Sequence, residues 1–436
     1  MQAPVSGLHN MRTIRPELTC IHCWTRFPPE QALWVSEHRD LLGDPLLGPD
    51  AQLRFLPTRF DLKCNAIDAM GQVCRDIACP NCHLSLPHAL LEREPLFVSI
   101  LGTPSCGKSF FLAAMATQWR QHLPSRFGLG FSDGDLQANQ PLVEYEDELF
   151  LNHRADVEAA LADLVPKTKL DSQLYYRVQN GENTVSYPRA FSFLLDALQS
   201  HPNYASADRV RRVVVFYDNA GEHFLPGKDS FNAPGTRHLA ESRFLLFLFD
   251  PTQDPRWHQA LKEKNGSDKL PPLNGSSSRQ EAVLREASIR IRKLLQLPDE
   301  KRLDRPLIIV LNKADVWLRL LGEKRPADCQ GPSNSYSSIW ALNIDEITRQ
   351  STLLERILRC HVPEICFAAE SLASTVYYIP TSALGKPPRF DENGQAFCRP
   401  SDIHPWNVTT PFLLGVNLTV NGLIARGHDP IPSHAV

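Results

Sequence analysis

A glycine-rich segment with the sequence GTPSCGKS, Gly102–Ser109, has the residue types that bind the phosphate chain of a nucleotide. Its glycines, Gly102 and Gly107, allow the backbone to wrap a phosphate, whose negative charge is met by backbone N–H groups and by the positive end of the following helix. Because proline has no N–H, the donors must come from Ser105 and Cys106 onward. A glycine-rich turn that contains Gly-Lys-Ser by chance is the alternative.

Two side chains of this segment can act on the phosphates directly. Lys108 is expected to reach the β- and γ-phosphates, and the hydroxyl of Ser109 is expected to ligate Mg²⁺. The apolar run before the segment, 95–101, predicts a buried strand, and the run after it, 110–116, predicts a helix. Strand, loop and helix are the context that this chemistry requires.

A second candidate is the sequence DNAG, Asp218–Gly221, at the end of the apolar run Arg212–Asp218. The run predicts a β-branched strand with Asp218 at its carboxyl end, where ligands bind in open α/β sheets. Asp218 is expected to hold Mg²⁺ through water, and the N–H of Gly221 is expected to meet the γ-phosphate in a loop that relaxes after hydrolysis. A strand-ending turn without chemistry is the alternative.

The sequence NKAD, Asn312–Asp315, follows the apolar run Pro306–Leu311. The carboxylate of Asp315 can accept both the ring N–H and the exocyclic amino group of guanine, whereas adenine offers neither. Asn312 is expected to brace the loops, and the stem of Lys313 is expected to cover the flat base. This pattern predicts selection of guanine.

The sequence TSAL, Thr381–Leu384, follows the short predicted strand Val376–Pro380. The N–H of Ala383, beside Ser382, is expected to donate to the guanine carbonyl. Each of these short patterns can arise by chance, but the four segments come in the one chain order that builds a guanine-nucleotide site. The order therefore carries more weight than any single segment.

Four cysteines near the amino terminus form two Cys-x-x-Cys pairs, and four thiolates satisfy tetrahedral Zn²⁺. They are Cys20, Cys23, Cys79 and Cys82. We expect a structural zinc ribbon in residues 1–94, with Cys64 and Cys74 as alternative ligands. A redox dithiol is the competing interpretation, which is disfavoured because neither pair lies in a strand-helix thioredoxin pattern. No internal repeat is evident.

Length and composition predict a globular protein of two domains. The chain has 436 residues, of which 42% are hydrophobic and 22% charged, and its net charge is -3. The phosphate-binding domain is expected at 95–436, after the cysteine module. The charge disfavours nucleic acid as a partner. Without an apolar signal segment or an apolar stretch near bilayer length, we expect a cytoplasmic protein with no membrane partner.

Together with the string YDNAGEHF, Tyr217–Phe224, these motifs resemble the TRAFAC-class GTPases and, among them, the bacterial double-GTPase group. The resemblance covers about three quarters of the chain, from Leu96 onward. It implies an α/β fold, with a Rossmann-like P-loop NTPase sheet that has helices on both faces and is preceded by the zinc-ribbon module. It also implies GTP or GDP and Mg²⁺ as ligands and a regulatory role, for which a bacterial conflict or defence system is one setting.

The chain departs from the small GTPases of this class at the residue that positions water. Glu222 and then His223 stand where Ras-like GTPases place a glutamine. A carboxylate can accept a hydrogen bond from the attacking water, yet it adds negative charge near the γ-phosphate, so we expect slow unaided hydrolysis. His223 is the alternative water-orienting residue, and an arginine from a partner or from this chain could complete the site.

A long first insertion is expected near 125–210, and it must hold structure of its own. Within it, 141–164 has helical spacing, and 174–195 contains a hairpin signal. Thr168 is the candidate for the threonine that coordinates Mg²⁺ in the GTP state, and an unrelated surface threonine is the alternative.

A second insertion is expected near 252–304, with an arginine-rich helix at Glu281–Leu295 that either binds a partner or forms a solvated face.

The leading functional hypothesis is a GTP-hydrolysing molecular switch that engages an unidentified protein partner. The alternative is a nucleotide-binding scaffold that holds GTP with little hydrolysis and acts through partner docking. An ATP-dependent motor or kinase is a more distant third.

Overall fold

The computed structural model describes residues 14–166, 175–181, 183–218, 236–265, 273, 279–298, 300–320, 325–333 and 339–425. These residues form two compact units. The first comprises the described part of Met1–Pro95 together with that of Arg177–Val185. The second comprises the described parts of Leu96–Tyr176 and Ser186–Val436.

The first unit is built mainly from strands of two to five residues. They are β1 (Leu18–Thr19), β2 (Arg26–Phe27), β3 (Leu33–Val35), β4 (Leu42–Asp44), β5 (Gly48–Gln52), β6 (Arg54–Phe55), β7 (Ile77–Ala78) and β8 (Ser85–Leu86). Strands β6-β3-β7-β8 form an antiparallel sheet, and β1-β2 and β4-β5 form antiparallel pairs. Strands this short bury little apolar surface, so a bound metal would add stability that the core cannot supply.

A seven-stranded sheet organises the described part of the second unit, in the order β10-β14-β15-β9-β16-β17-β20. The remaining strands of the described residues are β9 (Glu94–Gly102), β10 (Leu129–Asp133), β11 (Ala159–Ala160), β12 (Tyr175–Asn180), β13 (Asn183–Pro188), β14 (Ala190–Ala197), β15 (Arg212–Asp218), β16 (Phe244–Phe249), β17 (Leu307–Leu311), β18 (Gln330–Pro332), β19 (Trp340–Leu342), β20 (Val376–Pro380), β21 (Arg389–Phe390) and β22 (Ala396–Cys398). Strands β9, β16, β17 and β20 are parallel to one another. The loops that leave these four strands therefore emerge at one edge of the sheet.

Helices cover both faces of this sheet. They are α1 (Lys108–His122), α2 (Leu136–Phe150), α3 (Leu161–Leu164), α4 (Ala207–Val210), α5 (His238–Glu241), α6 (Pro255–Asn265), α7 (Gln280–Leu295), α8 (Ala314–Leu320), α9 (Ile344–His361), α10 (Pro363–Leu372) and α11 (Thr410–Thr419). Alternate residues of β16 point to opposite faces, so Leu246 and Leu248 pack with α1 and α11, whereas Phe247 and Phe249 pack with α7 and α10. Among the helices of the described residues, none has the length and apolar character to cross a membrane.

The observed bounds of the central strands agree closely with those predicted from the sequence, and those of the first insertion agree less closely. Strands β15 and β20 have the predicted bounds. Helix α2 begins earlier than predicted, because the side chain of Asp135 accepts a hydrogen bond from the N–H of Ala138 at 2.9 Å and caps it. In the rest of the predicted helical stretch, residues 151–158 form turns, and only the short elements β11 and α3 follow.

The arginine-rich helix α7 uses two of its arginines inside the fold. Arg290 is 5% exposed and pairs with Glu286 at 2.8 Å. Arg292 donates to three backbone carbonyl oxygens. Two belong to the segment after α7, and the third is that of Ser371 near the end of α10, at 2.7 Å. These two guanidinium groups therefore stabilise the second unit itself. Neither partner binding nor a solvated face, the two interpretations of this helix from its sequence, describes them.

Gly415 in α11 is required by the packing of that helix on the sheet. A Cβ atom at this position would overlap the ring of Phe244, which is fully buried. We predict that Gly415→Ala lowers the free energy of unfolding by about 1–3 kcal/mol, because the core is overpacked. Gly331→Ala is the control, since a Cβ there would meet no atom within 4 Å. Equal thermal unfolding midpoints for the two variants would contradict this packing.

Candidate functional site

The loop between β9 and α1 has the backbone geometry that its glycines predict. Gly102 and Gly107 have φ angles of 154° and 94°, and Ser105 has a φ of 64°. A Cβ at Gly102 would lie 2.7 Å from the carbonyl oxygen of Leu248, which belongs to β16 and cannot move aside. Glycine is therefore needed here both for conformation and for the close approach of the neighbouring strand.

Lys108 points into this loop. Its ammonium group donates to the carbonyl oxygens of Gly102 and Thr103, at 3.0 Å each, and the residue is only 8% exposed. Ser109 is the second residue of α1, and so lies in the first turn, where the helix dipole favours anions. The buried thiol of Cys106 lies 3.9 Å from the same ammonium group. A positive charge and a helix N-terminus thus meet inside one loop.

Asn312, directly after β17, joins three loops at the edge of the sheet. Its side-chain Nδ2 donates to the carbonyl oxygen of Cys106 at 3.0 Å, which ties it to the glycine-rich loop. Its Oδ1 accepts from the hydroxyl of Thr381 at 3.4 Å, which ties it to the loop after β20. The residue is 2% exposed, and its backbone carbonyl accepts from the indole of Trp317 at 2.7 Å.

Asp315 presents its carboxylate from the first turn of α8. One oxygen, Oδ1, accepts a hydrogen bond from the hydroxyl of Ser382 at 2.5 Å, and this hydroxyl in turn accepts from the N–H of Gly385 at 2.6 Å. The other oxygen accepts no hydrogen bond from the described residues. Burial raises the pKa of Asp315. A partly buried carboxylate that is fixed through one oxygen and open at the other suits a ligand that offers N–H groups.

The loop that carries Ser382 forms backbone hydrogen bonds with a later segment of the chain. The backbones of Ser382 and Trp406 exchange two hydrogen bonds, at 3.0 and 2.8 Å, and His404 donates to Leu384 at 2.8 Å. The amide of Ala383 donates to no acceptor among the described residues. The pairing leaves no side-chain signal, so sequence reasoning could not find this bracing segment.

Asp250 contacts the candidate site and was not found by sequence reasoning. It follows β16 directly, its side chain is fully buried, and its Oδ2 lies 2.6 Å from Nζ of Lys313. Lys313 has a φ of 56°, and its Nζ also donates to the carbonyl oxygen of Ser105 at 3.3 Å. An aspartate that ends an apolar run was the available signal, but such a residue is equally common in plain turns.

Part of the predicted site lies beyond what the structure describes. Asp218 is the last residue of β15, the strand next to β9, and only its backbone is described. The predicted residues Thr168, Gly221, Glu222 and His223 lie outside the described residues. Their roles remain predictions from the sequence.

The four predicted zinc ligands come together in the first unit. The sulfur atoms of Cys20, Cys23, Cys79 and Cys82 lie within 4.8 Å of one another, and all four residues are buried. The Cys20–Cys82 and Cys23–Cys79 sulfur distances are 3.7 and 3.5 Å. A tetrahedral zinc with Zn–S bonds of about 2.3 Å has sulfur–sulfur edges of roughly 3.8 Å, so the donor set fits zinc.

Backbone amides point at the sulfur atoms in both cysteine pairs. The N–H groups of His22 and Cys23 donate to Cys20 at 3.3 and 3.4 Å, and the N–H of Asn81 donates to Cys79 at 3.4 Å. Donors of this kind stabilise thiolates, which are the forms that bind metal. Burial alone acts the other way and raises the pKa of the Cys20 thiol.

The two cysteine pairs form a structural repeat, which corrects the expectation that the chain has none. In the first copy, β1 pairs with β2 so that Leu18 faces Phe27, and in the second β7 pairs with β8 so that Ile77 faces Leu86. The residue after each pair, Trp24 or His83, has a positive φ of 59° or 58°. The repeat is hard to see in sequence, because few residue types besides the cysteines are shared.

The alternative ligands Cys64 and Cys74 lie outside the four-cysteine group. Cys64 is exposed, and the thiol of Cys74 is 3.8 Å from the carbonyl oxygen of Gln72. No pair within the four-cysteine group begins a helix, as a redox dithiol of the thioredoxin type would.

Comparison with known proteins gives one curated relative and a distant structural match. No family model matches the chain. The "Putative ESX-1 scaffolding and assembly protein SaeC" of Mycolicibacterium smegmatis is 26% identical over 251 residues, which are 53% of this chain and 57% of the relative. The chain thus spans little more than half the length of that relative.

Among solved structures, similarity is found to the crystal structure of Era in complex with MgGDPNP and nucleotides 1506-1542 of 16S ribosomal RNA. The identity is 14%, the match covers 78% of this chain and 61% of that chain, and the TM-score is 0.23. A match with so low a TM-score does not establish a shared fold.

The geometry of the four cysteines makes a specific prediction about metal content. We expect the purified protein to hold about one zinc per chain, and Cys20→Ser to lose it together with thermal stability, because a four-thiolate site contributes folding energy. Cys64→Ser and Cys74→Ser are the matched controls and should keep the metal. Elemental analysis of the three variants checks this. Zinc retained by Cys20→Ser, or lost from Cys74→Ser, would contradict the assignment.

Proposed function

We propose that the chain is a GTP-binding and GTP-hydrolysing protein of the switch type. The observation that carries the proposal is the junction at Asn312, whose side chain joins the glycine-rich loop to the loop after β20. A shared amide keeps a phosphate-binding loop and two base-reading loops at a fixed separation. A nucleotide, which has phosphates at one end and a base at the other, is the ligand that needs such an arrangement.

Guanine is favoured over adenine by the carboxylate of Asp315. Its Oδ1 is oriented by Ser382, and a base that covers this partly buried carboxylate without offering it N–H partners pays a desolvation cost. Sites of this kind can reject the wrong ligand by about 10⁴-fold or more. The amide of Ala383 is proposed to donate to the guanine carbonyl, and the stem of Lys313 to cover the base.

Hydrolysis is proposed to use residues around the glycine-rich loop. Lys108 would exchange its loop carbonyl partners for the β- and γ-phosphates and neutralise their charge. The hydroxyl of Ser109 and the carboxylate of Asp218 are oxygen donors of the kind that Mg²⁺ prefers. Bound Mg²⁺ would supply charge neutralisation at the phosphates. Glu222 or His223 would orient the attacking water, and Thr168 would complete the metal site in the GTP state.

A scaffold that holds GTP with little hydrolysis is the second candidate. Two observations favour it: Glu222 places a negative charge where a neutral amide is expected, and the curated relative is named as a scaffolding and assembly protein. In this case the nucleotide would stabilise a partner-binding form, and proteins would be its partners. The zinc module, whose four-thiolate site is closed, would serve structure or docking and no chemistry.

Changing Asp315 to asparagine tests the base-reading role. Xanthine has a carbonyl where guanine has an amino group, and the amide of an asparagine can donate to it. We predict that Asp315→Asn binds GTP about a hundredfold or more weaker and prefers XTP, because an acceptor has been replaced by a donor. Lys108→Ala should weaken both nucleotides, since it removes the phosphate contact. Unchanged GTP affinity in Asp315→Asn would reject the proposed base reading.

Single-turnover hydrolysis separates the switch from the scaffold. If Glu222 orients water, Glu222→Ala should slow hydrolysis by about 10²-fold, while GTP affinity stays the same. Glu222→Gln is the matched variant, and it should hydrolyse at least as fast as the wild type because it keeps a hydrogen-bond acceptor without the charge. A wild-type rate at the level of spontaneous hydrolysis, with GTP still bound, would favour the scaffold.

A further inference from the structure

Several contacts fix Asp250 at the loop edge of the sheet. Its Oδ1 accepts from the N–H and the hydroxyl of Thr252, at 3.0 and 2.7 Å. Its Oδ2 lies 2.6 Å from Nζ of Lys313, and no part of its side chain is exposed. An aspartate held in this way cannot turn away from its lysine.

The second insertion fixes the backbone of Asp250 as well. Gln280, the first residue of α7, donates from Nε2 to the carbonyl oxygen of Asp250 at 2.8 Å and accepts from its N–H at 2.9 Å. Gln280 is 6% exposed, so solvent competes little for these bonds. Thr252 and Gln280, which both follow Asp250 in the chain, therefore fix its side chain and its backbone.

Lys313 is the more exposed partner of this pair. Its side chain is 32% exposed, and its ammonium group bridges Asp250 and the carbonyl oxygen of Ser105 in the glycine-rich loop. Burial lowers the pKa of Lys313, but the carboxylate of Asp250 more than offsets this effect and raises it. Asp315 also attracts this ammonium group. Without Asp250, the lysine could move toward Asp315 and neutralise the carboxylate that reads the base.

We infer, on the basis of the proposed function, that Asp250 is a positioning residue of the nucleotide site, which holds Lys313 across the glycine-rich loop and away from Asp315. The lysine stem then lies ready to cover the base before the nucleotide arrives, so less freedom is lost on binding. Helix α7 of the second insertion becomes part of the support of the site through Gln280.

A double-mutant cycle tests this role in the full-length chain. Asp250→Asn keeps the shape of the side chain and removes its charge, and Lys313→Met keeps the stem and removes the ammonium group. GTP affinity should fall about tenfold in each single variant, and the double variant should be no worse than Lys313→Met alone, because the two residues act as one unit. A merely structural aspartate would instead weaken binding further in the Lys313→Met background.

Asp254→Asn is the matched control. Asp254 is also buried and lies in the same segment, but it caps α6 through the N–H groups of Arg256 and Trp257 and does not contact Lys313. Its loss should leave GTP affinity unchanged, although thermal stability falls. Wild-type affinity in Asp250→Asn, or additive losses in the double variant, would overturn the inference and leave the proposed function standing.

Misfolding of Asp250→Asn can be distinguished from a loss of nucleotide binding. Should Asp250→Asn not fold, wild-type GTP affinity in Lys313→Met would still overturn the inference, since it would show that there is nothing for Asp250 to position. A wild-type protein that binds no guanine nucleotide would overturn the proposed function, and this inference with it.

Discussion

One buried amide side chain, that of Asn312, is the interaction on which the candidate site depends. It satisfies one carbonyl of the glycine-rich loop and one hydroxyl of the loop after β20, and is itself held through its backbone by Trp317. A buried amide left without these partners would carry a desolvation cost, so the loops stabilise each other only in this arrangement. Glycine at position 107 follows from the same contact, because a Cβ there would lie 2.8 Å from Nδ2 of Asn312.

Negatively and positively charged side chains alternate along the edge of the sheet near Asn312. The carboxylate of Asp250, the ammonium group of Lys313 and the carboxylate of Asp315 follow one another along the edge of the sheet, and Lys108 occupies the loop beside them. Buried charges are tolerated because each has an opposite charge or several hydrogen bonds. The parallel strands β9, β16, β17 and β20 make this possible, since they deliver the groups to one edge.

The sequence alone predicted those parts of the candidate site whose residues form short consecutive motifs. Asn312 to Asp315 and the glycine-rich loop could be found because each pattern is short and follows an apolar strand. The partner of Lys313 could not, because Asp250 lies far away in the chain and has no motif of its own. The bracing of Ser382 by Trp406 escaped for another reason: it uses backbone hydrogen bonds, which any residue can form. The repeat of the cysteine pairs was hidden because its two copies share few residue types besides the cysteines.

The most direct measurement of the central claim is a calorimetric titration of the full-length protein with GTP and with ATP, in the presence of Mg²⁺. The junction at Asn312 and the open oxygen of Asp315 predict that GTP binds at least about a hundredfold more tightly than ATP. Equal affinity for the two nucleotides, or binding of neither, would contradict the account.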